Sequence, residues 1–374
     1  MHEKIAIIGG GIGGLATSLA LQKLGYAVSV YERHQESQEI GAGIILGANA
    51  MAALDFLGVG DSVRQAACED HTCYIFSERG KRLTKLHLDK ETIYTFITRP
   101  VLMNILSDAL LPNTIIHNRQ LTDFAQGPNK VQLQFKDGSV DHADYMIASD
   151  GMFSSIRKKV LPKHNLQFAG YACWRGIINN CPAHIDRRYT ETWGTKGRVG
   201  LVPLPNNQMY WYALKNCREQ DKEIESWTKM DIVYNFIDYH EPIPVLLDKM
   251  NEKEMFFKYI YNLPPIPKFA FGRILLVGDA AHATTPNMWQ GAGQALEDAL
   301  ILAVSISPSD SLQNGFLSYE KQRLERIRKV DHDSNLYGKV AQLEMPILCS
   351  LRNIVLELAP HSIHTKKLKQ LFNM

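Results

Sequence analysis

The sequence predicts an α/β fold in which a nucleotide-binding sheet is interrupted by a β-rich region and completed by helices. The chain opens with a short apolar strand at 5–8, a run of glycines, helical spacing over 15–24 and a second strand at 27–31. This pattern predicts a βαβ unit of about 30 residues. Residues 168–261 are instead rich in aromatic and β-branched positions separated by Pro and Asn turns, which is typical of antiparallel strands. A further apolar strand at 274–277 returns the chain to the first sheet.

Local patterns predict the remaining elements. Strict alternation at 131–135, a Lys-Asp-Gly-Ser turn and an apolar run at 145–148 predict a hairpin followed by a buried strand. Pro100 marks a helix start, and helical spacing recurs over 319–329 and 348–358. The nucleotide-binding part therefore contains an inserted antiparallel hairpin, and the chain ends in helices.

At 374 residues the chain suits two domains and a C-terminal extension. We predict a discontinuous nucleotide-binding domain at 1–73, 97–167 and 265–330, a substrate domain at 74–96 and 168–264, and a C-terminal helical region at 331–374.

The composition limits the partners. A formal net charge of +2 does not indicate nucleic-acid binding, so the expected partners are small molecules. Six cysteines with neither a C-x-x-C pair nor zinc-like spacing favour reduced structural thiols in a cytoplasmic protein, and no metal is expected. The apolar run at 5–8 is too short for a signal peptide, and no stretch approaches the ~18 apolar residues of a membrane span. Lys366, Lys367 and Lys369 are interpreted as a solvated tail, so stable membrane association is not expected.

The first motif is Gly9-x-Gly11-x-x-Gly14, between a predicted strand and a predicted helix. The first two glycines permit a tight turn and close approach of the backbone to a pyrophosphate, and the third lets helix and strand touch. Glu32 ends the next strand, where it can accept from ribose hydroxyls. An acidic residue there favours a ribose with free hydroxyls, so the resident nucleotide is expected to be FAD or NAD rather than NADP.

A second glycine-rich element lies near the other end of the chain. Gly278 and Asp279 follow the strand at 274–277, and the small residues Gly291, Ala292 and Gly293 precede a further helix. Asp279 would take ligand hydroxyls, and the bare amides near Gly291 would face electron-rich atoms. The two glycine-rich elements together predict a site for one long dinucleotide.

Two weaker motifs lie between them. Asp150-Gly151-x-x-Ser154-x-x-Arg157 follows the strand at 145–148, where Ser154 and Arg157 would either serve a phosphate or fix the loop. Arg99 precedes Pro100 at a helix start, a position where a lone arginine is usually a surface cation.

Taken in order, these motifs resemble the single-component (class A) FAD-dependent aromatic hydroxylases, which share the para-hydroxybenzoate hydroxylase fold. The resemblance covers residues 1–330. Matches at Gly41 to Ile44 with Asn49, and at Tyr171 to Gly176, are similar to the branch with salicylate hydroxylases, zeaxanthin epoxidase and FAD-type urate hydroxylase. The implied fold is a glutathione-reductase-type FAD-binding, Rossmann-like domain with an inserted β-rich substrate domain and C-terminal helices.

The resemblance also implies roles for individual residues. Non-covalent FAD would be held by Gly9, Gly11, Ile12, Gly13 and Gly14 at the pyrophosphate, Glu32 at the ribose, Arg33 near the adenine, and Gly43 and Arg99 farther along the cofactor. Gly278 and Asp279 would meet the ribityl and pyrophosphate region, Pro286, Gly291, Ala292 and Gly293 the isoalloxazine edge, and Asp150, Gly151 and Arg157 both FAD and a transient nicotinamide.

The implied reaction is NAD(P)H-dependent hydroxylation or epoxidation of a planar, electron-rich aromatic or polycyclic molecule. In the family, reduced flavin and O2 give a C4a-hydroperoxide as oxygen donor, and NADPH or NADH is a transient co-substrate. The enzyme would be a monomer or homodimer. Alternatives are a reductase of the same fold that inserts no oxygen and a flavin-binding redox sensor without turnover.

Candidate substrate residues lie on a predicted hairpin. With a three-residue loop at 205–207, Val202 faces Tyr210, and Arg198, Tyr210 and Tyr212 share one sheet face. With a two-residue loop the tyrosines move to the opposite face. Residues at the positions of Arg198 and Tyr210 contact substrate in the urate hydroxylase that this segment resembles, which favours the first register.

The last predictions concern three residues that lie downstream of Gly278 and Asp279 in the chain. His282 is interpreted as a hydrogen-bonded histidine that holds the turn rather than as a general base. Asn287 replaces an acidic residue of the urate hydroxylase, which argues against urate as substrate. Trp289 stands where the branch usually has a small residue, so we predict that it narrows the pocket or stacks on a planar substrate.

Overall fold

The structure is a computed structural model that describes residues 3–35, 43–87 and 93–359. The motif residues Gly41 and Ala42 and the basic residues Lys366, Lys367 and Lys369 lie outside these ranges. All the other residues singled out individually above lie inside them.

The described residues form four sheets. The strands are β1 (Lys4–Ile8), β2 (Ala27–Tyr31), β3 (Gly43–Leu46), β4 (Cys68–Asp70), β5 (Thr72–Ser77), β6 (Arg82–His87), β7 (Tyr94–Thr98), β8 (Ile115–Ile116), β9 (Leu121–Gln126), β10 (Val131–Phe135), β11 (Val140–Ala143), β12 (Tyr145–Ala148), β13 (Gln167–Ile178), β14 (Tyr189–Gly194), β15 (Gly197–Leu204), β16 (Gln208–Asn216), β17 (Phe256–Asn262), β18 (Ala270–Phe271) and β19 (Ile274–Leu276).

Helices connect and cover these sheets. The α-helices are α1 (Ile12–Lys23), α2 (Ala48–Leu57), α3 (Gly60–Ala66), α4 (Arg99–Asp108), α5 (Ser155–Val160), α6 (Lys222–Glu225), α7 (Lys229–Asn235), α8 (Ile243–Asp248), α9 (Asp279–His282), α10 (Gln290–Ile306), α11 (Leu312–Ala341) and α12 (Pro346–Leu358). Short 3₁₀ turns lie at Glu252–Glu254 and Pro286–Met288.

The central sheet has the strand order β18-β19-β12-β1-β2-β8. Strand β1 pairs in parallel with β2 and β12, and β12 pairs in parallel with β19. The four strands predicted from apolar runs therefore form one sheet, and the α/β fold class is confirmed. Because parallel strands all end at the same edge, the residues that follow β1, β12 and β19 come together there.

Two helical layers cover this sheet. One core cluster packs β1, β12 and β19 against Phe316 and Tyr319 of α11. A second cluster packs α1, α2 and α4 against Leu296 and Ala299 of α10. Helix α11 is continuous through residues 330 and 331, where the sequence predicts the start of the C-terminal region.

The β-rich region forms a seven-stranded sheet with the order β17-β13-β16-β15-β14-β5-β6. Its pairs are antiparallel except for β14 with β5. Val202 pairs with Tyr210 and Leu204 with Gln208, so the hairpin loop has the three residues 205–207. The first of the two predicted registers is therefore confirmed, and Arg198, Tyr210 and Tyr212 share one face.

Two three-stranded sheets complete the fold. The predicted hairpin pairs β10 with β11, and β9 lies on the other side of β10. Strand β7 lies between β3 and β4, and its last residue, Thr98, pairs with Gly43. Helix α4 begins at Arg99, so Arg99 directly follows Thr98, the residue that pairs with Gly43.

Candidate active site

The glycine turn after β1 has two crowded positions and one open position. Gly9 has φ +104°, and a Cβ at Gly14 would lie 2.0 Å from the Gly9 carbonyl oxygen. A Cβ at Gly9 would lie 2.3 Å from the Ser149 carbonyl oxygen. A Cβ at Gly11, in contrast, would meet no atom within 4 Å in the described chain. Gly9 and Gly14 are therefore required by packing, whereas Gly11 leaves room for a ligand, as a phosphate-binding turn needs.

Glu32 follows β2 and lies against this turn. Its Oε2 accepts from the Gly10 backbone N–H at 2.7 Å, and its Oε1 accepts from the His34 N–H at 2.9 Å. The Glu32 side chain stays 20% exposed, which leaves it accessible to a hydroxyl of a ligand. Ile12 is buried at the start of α1, and Arg33 is exposed next to Glu32.

The two glycine-rich elements meet at this sheet edge. A Cβ at Gly13 would lie 3.1 Å from Ser149 Oγ and 3.9 Å from the Gly278 Cα. Gly278 has φ +57°, a backbone conformation that glycine adopts without steric cost. Asp279, the residue after it, is exposed. The structure therefore brings together the two elements that the sequence predicts to form one site.

The segment after β12 is a capped turn. Asp150 Oδ2 accepts from the Ser155 N–H at 2.9 Å, and Gly151 has φ +82°. The Ser154 hydroxyl accepts from the Arg157 N–H at 2.9 Å and so caps α5. Burial raises the pKa of Asp150 despite these hydrogen bonds.

Arg157 joins this turn to the second glycine element. Its guanidinium is buried and donates to the carbonyls of Ala280 at 3.0 Å and Met152 at 2.6 Å. These contacts support the prediction that Ser154 and Arg157 fix the loop. Contact of Arg157 with a nucleotide stays a prediction.

Asp298 organises the turn at Gly278 from inside α10. Its carboxylate accepts from the Gly278 N–H at 2.7 Å, contacts His282 Nε2 at 2.6 Å and accepts from Arg323 Nε at 2.7 Å. Burial alone would raise the pKa of Asp298, but the neighbouring His282 and Arg323 outweigh it and lower the pKa. The prediction that His282 is hydrogen-bonded and holds the turn is confirmed.

Glu297, the preceding residue, extends this buried network. It accepts from Arg323 and, at 3.1 Å, from Arg326 Nε, and its other oxygen accepts from Asn49 Nδ2 at 2.9 Å. Sequence analysis missed the roles of Glu297, Asp298 and Arg323. The available signal was two adjacent carboxylates in a helix with no other charged residue, since buried charges are rare unless they are paired.

The remaining cofactor candidates lie at the start of α4, on the 3₁₀ turn after α9 and in the first turn of α10. Arg99 is half-buried at the start of α4, Pro286 is exposed, and Gly291 and Ala292 are half-buried in the first turn of α10. A Cβ at Gly291 would meet no described atom within 4 Å. Gly293 is buried beside Asn49.

Gly43 allows the β-rich sheet to approach β3. A Cβ at Gly43 would lie 2.5 Å from Cγ of Tyr210. The ring of Tyr210 therefore packs directly on the backbone of β3. Burial raises the pKa of Tyr210 to about 12, so its phenol is neutral at physiological pH.

Arg198 lies at the centre of a buried polar cluster on this sheet. Its side chain is 2% exposed, and its Nη2 donates to Asn287 Oδ1 at 2.7 Å. Its Nε is 3.7 Å from Glu191 Oε1. Nε and Nη1 have no hydrogen-bond partner among the described residues. A buried donor without a partner is costly, so Nη1 is a candidate for binding an acceptor atom of a ligand.

Asn287 holds Arg198 in place with an amide that is itself fixed by hydrogen bonds. Its Oδ1 also accepts from the Tyr171 hydroxyl at 3.2 Å, and its Nδ2 donates to Thr285 Oγ1 at 2.9 Å and to the Ser334 carbonyl at 3.1 Å. These bonds engage both ends of the Asn287 amide. The structure thus gives Asn287 a positioning role that its sequence position alone does not reveal.

Glu191 is the anion of this cluster. It accepts from the Tyr212 hydroxyl at 2.6 Å, Trp193 Nε1 at 2.7 Å and the Tyr337 hydroxyl at 3.2 Å. Sequence analysis placed Glu191 only within the β-rich region 168–261, because Tyr337 comes from α11 and no sequence spacing indicates that contact.

Trp289 belongs to a cluster of aromatic rings beside Arg198 and is a candidate wall of a substrate chamber. Its ring meets Tyr189 edge-on with centroids 5.2 Å apart, and it meets Tyr94 and Tyr337 at 6.3 and 6.5 Å. Trp289 has φ +53°, a left-handed conformation that costs a non-glycine residue about 1–2 kcal/mol. Such a residue persists only where its surroundings hold it, and it marks a candidate functional position.

No group of His, Cys, Asp or Glu residues within the described ranges could hold a metal ion. No helix within them is long and apolar enough to cross a membrane.

A dinucleotide-type glycine turn, a second glycine element at the same edge and a cluster of aromatic rings are typical of a nucleotide-dependent oxidoreductase. The model of the family described as FAD binding domain matches residues 2–334, and the chain belongs to this family. The family predicted from the motifs is therefore confirmed as that of the FAD-dependent monooxygenases and hydroxylases.

Known proteins of this family resemble the chain over nearly its whole length. Aurachin C monooxygenase/isomerase of Stigmatella aurantiaca is 31% identical over 354 residues, which cover 93% of this chain and 92% of the relative. The 2-heptyl-3-hydroxy-4(1H)-quinolone synthase of Pseudomonas aeruginosa is 27% identical over 377 residues, covering 98% and 97%. The crystal structure of Klebsiella pneumoniae HpxO with FAD and uric acid has the same fold, with a TM-score of 0.89, 23% identity and coverage of 99% and 96%.

Proposed function

We propose that the protein is an FAD-dependent monooxygenase that uses NAD(P)H and O2 to hydroxylate or epoxidise a planar, electron-rich small molecule. The observation that carries the proposal is the buried Nη1 of Arg198, which lacks a partner among the described residues. Its guanidinium contacts the Tyr337 ring and Asn287 of the Pro286–Met288 turn. A site with one oriented donor and flat apolar walls suits an aromatic ligand that carries an acceptor oxygen.

The residues at the sheet edge fit non-covalent FAD. Gly11 and Gly291 leave open space where a side chain would stand, and Glu32 and Asp279 are accessible carboxylates. Bound FAD would supply the redox chemistry, taking a hydride from the nicotinamide and activating dioxygen. The roles of Arg33, Gly43, Arg99, Asp150, Gly151 and Arg157 toward FAD or the nicotinamide belong to this proposal.

The chain itself would exclude water and orient the substrate. Trp289, Tyr189 and Tyr94 enclose one side of the chamber with edge-on rings. Arg198, held by Asn287 and beside Glu191, would fix the ligand through a hydrogen bond. Orientation of a reacting carbon in a dry site is the contribution that a protein makes when the cofactor performs the oxidation.

The relatives support this reaction class. Two of them are a monooxygenase/isomerase and a quinolone synthase by name, and a third protein of the same fold binds uric acid. Quinolones and uric acid are planar heteroaromatic molecules with carbonyl oxygens. We therefore propose a planar heteroaromatic or phenolic substrate for this chain.

Turnover with a substrate panel tests the proposal. The FAD-loaded protein is mixed with NADH or NADPH and with phenolic, purine, quinolone or tetracycline-like compounds, and nicotinamide oxidation and oxygen uptake are recorded. We expect one class to stimulate both rates at least tenfold and to give a product that carries one atom from isotopically labelled dioxygen. Arg198→Met should lose the stimulation but retain FAD, and Arg79→Gln, at an exposed arginine, should behave as wild type.

Other outcomes support the alternatives. Stimulated nicotinamide oxidation without label in any product would indicate a reductase. Reduction of the flavin without ligand-stimulated turnover would indicate a redox sensor.

A further inference from the structure

We infer that the chamber selects a substrate without a net charge, because the charge of Arg198 is already balanced by Glu191. The ligand would be a planar aromatic whose carbonyl or phenolic oxygen accepts from Arg198, not an aromatic acid that pairs with it through a carboxylate. This inference rests on the proposed function and names the substrate class of that site.

The two charges form a pair that is closed to water. The side chains of Arg198 and Glu191 are 2% and 1% exposed, and Nε lies 3.7 Å from Oε1. Burial by itself lowers the pKa of Arg198, but the Glu191 carboxylate outweighs that effect and raises the pKa. A buried carboxylate that already compensates the arginine leaves little attraction for a second one, which would have to lose its own hydration to enter.

The surrounding strands are built to hold Glu191 as an acceptor. Trp193 Nε1 can only donate, and it reaches Oε2 at 2.7 Å. Tyr212 reaches Oε1 by lying across Gly200, where a Cβ would be 1.9 Å from the tyrosine Cζ. Burial, the larger effect, and the charge of Glu191 raise the pKa of Tyr212 well above its usual value, so this phenol stays a neutral donor.

Two further arginines lie near Arg198 and Glu191, and neither removes the balance of charge between that pair. Arg175 is on β13, two strands from Arg198, and its side chain hydrogen-bonds with the Tyr210 phenol. It is half-buried, so water screens part of its charge. Arg352 lies over the ring of Trp193, 5.4 Å from its centroid. It donates to the carbonyl of Ala341 at 3.2 Å, at the C-terminal end of α11, where the helix dipole favours a cation.

Arg198 therefore orients a ligand through a hydrogen bond and does not attract it through an uncompensated charge. Its Nη1 is a donor without a partner in the described chain, and it needs one acceptor oxygen. A neutral carbonyl satisfies that donor without adding an anion. A carboxylate would satisfy it too, but it would leave the buried cluster with a net negative charge next to Glu191.

A matched pair of ligands tests the inference by binding alone. The FAD-loaded protein is titrated at pH 7.5, without nicotinamide, with neutral 4-quinolone and with the anion quinoline-4-carboxylate, and Kd is read from the change in flavin absorbance. We expect wild type to bind the neutral ligand at least tenfold more tightly. Tighter binding of the carboxylate to wild type would overturn the inference without any variant.

Glu191→Gln then removes the balancing charge with little change of shape. We expect its affinity for the carboxylate to rise at least tenfold while that for 4-quinolone changes by less than threefold. Glu225→Gln, at an exposed glutamate, should leave the ratio as in wild type. An unchanged ratio in Glu191→Gln would overturn the inference.

A second variant covers the case in which Glu191→Gln does not fold. Asn287→Asp adds a carboxylate beside Arg198, and we expect it to weaken carboxylate binding further while retaining FAD. Equal or stronger carboxylate binding by this variant would count against the inference. Failure of the proposed function is a separate result, since it would appear as no ligand-stimulated oxygen uptake whatever the ratio of the two Kd values.

Discussion

The carboxylate of Asp298 accepts the backbone N–H of Gly278 at 2.7 Å, across a separation of 20 residues. Gly278 follows β19, the last parallel strand of the central sheet, and Asp298 lies in the middle of α10. The geometry of the second glycine element therefore depends on a helix that begins after it. Arg323 and His282 hold the same carboxylate, so the contact belongs to a network and is not an isolated hydrogen bond.

Asp298→Asn should destabilise the fold and weaken FAD binding. The change leaves the Arg323 guanidinium without one of its two buried carboxylate partners, and breaking a buried ion pair costs about 3–5 kcal/mol. We expect a loss of about 3 kcal/mol in the free energy of unfolding, measured by urea denaturation of the FAD-loaded protein. Asp310→Asn, at an exposed aspartate beyond the same helix, should change it by less than about 0.5 kcal/mol. Equal effects of the two variants would contradict the structure.

The same carboxylates should give the protein a specific acid sensitivity. The pKa values of Asp298 and Glu297 are lowered in the fold, Asp298 mainly by His282 and Arg323 and Glu297 mainly by Arg323 and Arg326, in each case against the effect of burial. A carboxylate with a lowered pKa contributes stability that is complete above its unfolded pKa of about 4 and is lost as the pH falls through the folded value.

Unfolding of wild type and Asp298→Asn at several pH values measures that contribution. The difference between their free energies of unfolding should be constant from pH 7 to pH 5. It should shrink from pH 5 to pH 3, because only wild type has the carboxylate to protonate. A difference that stays constant down to pH 3 would show that Asp298 does not hold its charge in the fold.

The parallel sheet and the glycine turn could be predicted from sequence because their signals are local. The apolar run before Gly9 and the spacing of Gly9, Gly11 and Gly14 come from a single βαβ unit, where short-range sterics determine the conformation. The hairpin needed one more piece of information. Its two registers differ only in loop length, and the pairing of Leu204 with Gln208 shows which loop the chain adopts.

The buried ionic clusters could not be predicted because they join residues that are far apart in the chain. Arg323 meets Asp298 from α11, and Tyr337 of the same helix meets Glu191, 146 residues earlier. A charged residue in a helix usually faces water, so sequence alone does not show which ones are buried and paired. Asn287 is an intermediate case. Its position was singled out, but its role in holding Arg198 depends on contacts from three different elements.

Gly11→Ala and Gly14→Ala should fail in different ways. Gly14→Ala would place a methyl group 2.0 Å from the Gly9 carbonyl, so the turn must move and the apoprotein should lose thermal stability. Gly11 has extended backbone and open space in the described chain, so its alanine variant should melt within a few degrees of wild type. That methyl group would occupy the side from which a pyrophosphate approaches, and we expect FAD affinity to fall at least tenfold, or about 1.4 kcal/mol.

Fluorescence quenching of free FAD and thermal melts of the apoprotein separate the two effects. Gly138→Ala, at a hairpin turn with φ +82°, is a control for backbone strain away from the site, because a Cβ there also meets no described atom within 4 Å. It should lower stability slightly and leave FAD affinity unchanged. Full FAD affinity in Gly11→Ala would place the nucleotide elsewhere.

Trp289→Gly should broaden the substrate range at small cost to the fold. The variant loses edge-on contacts with Tyr189 and Tyr337, but glycine relieves about 1 kcal/mol of left-handed backbone strain. Because Trp289 is only half-buried, we expect a net loss of about 1 kcal/mol in the free energy of unfolding. The opened chamber should accept bulkier compounds and admit water, so less product should form per nicotinamide oxidised. Tyr234→Gly, at a 77% exposed aromatic residue, is the control, and an unchanged substrate range and product yield in Trp289→Gly would show that this ring does not line the reaction chamber.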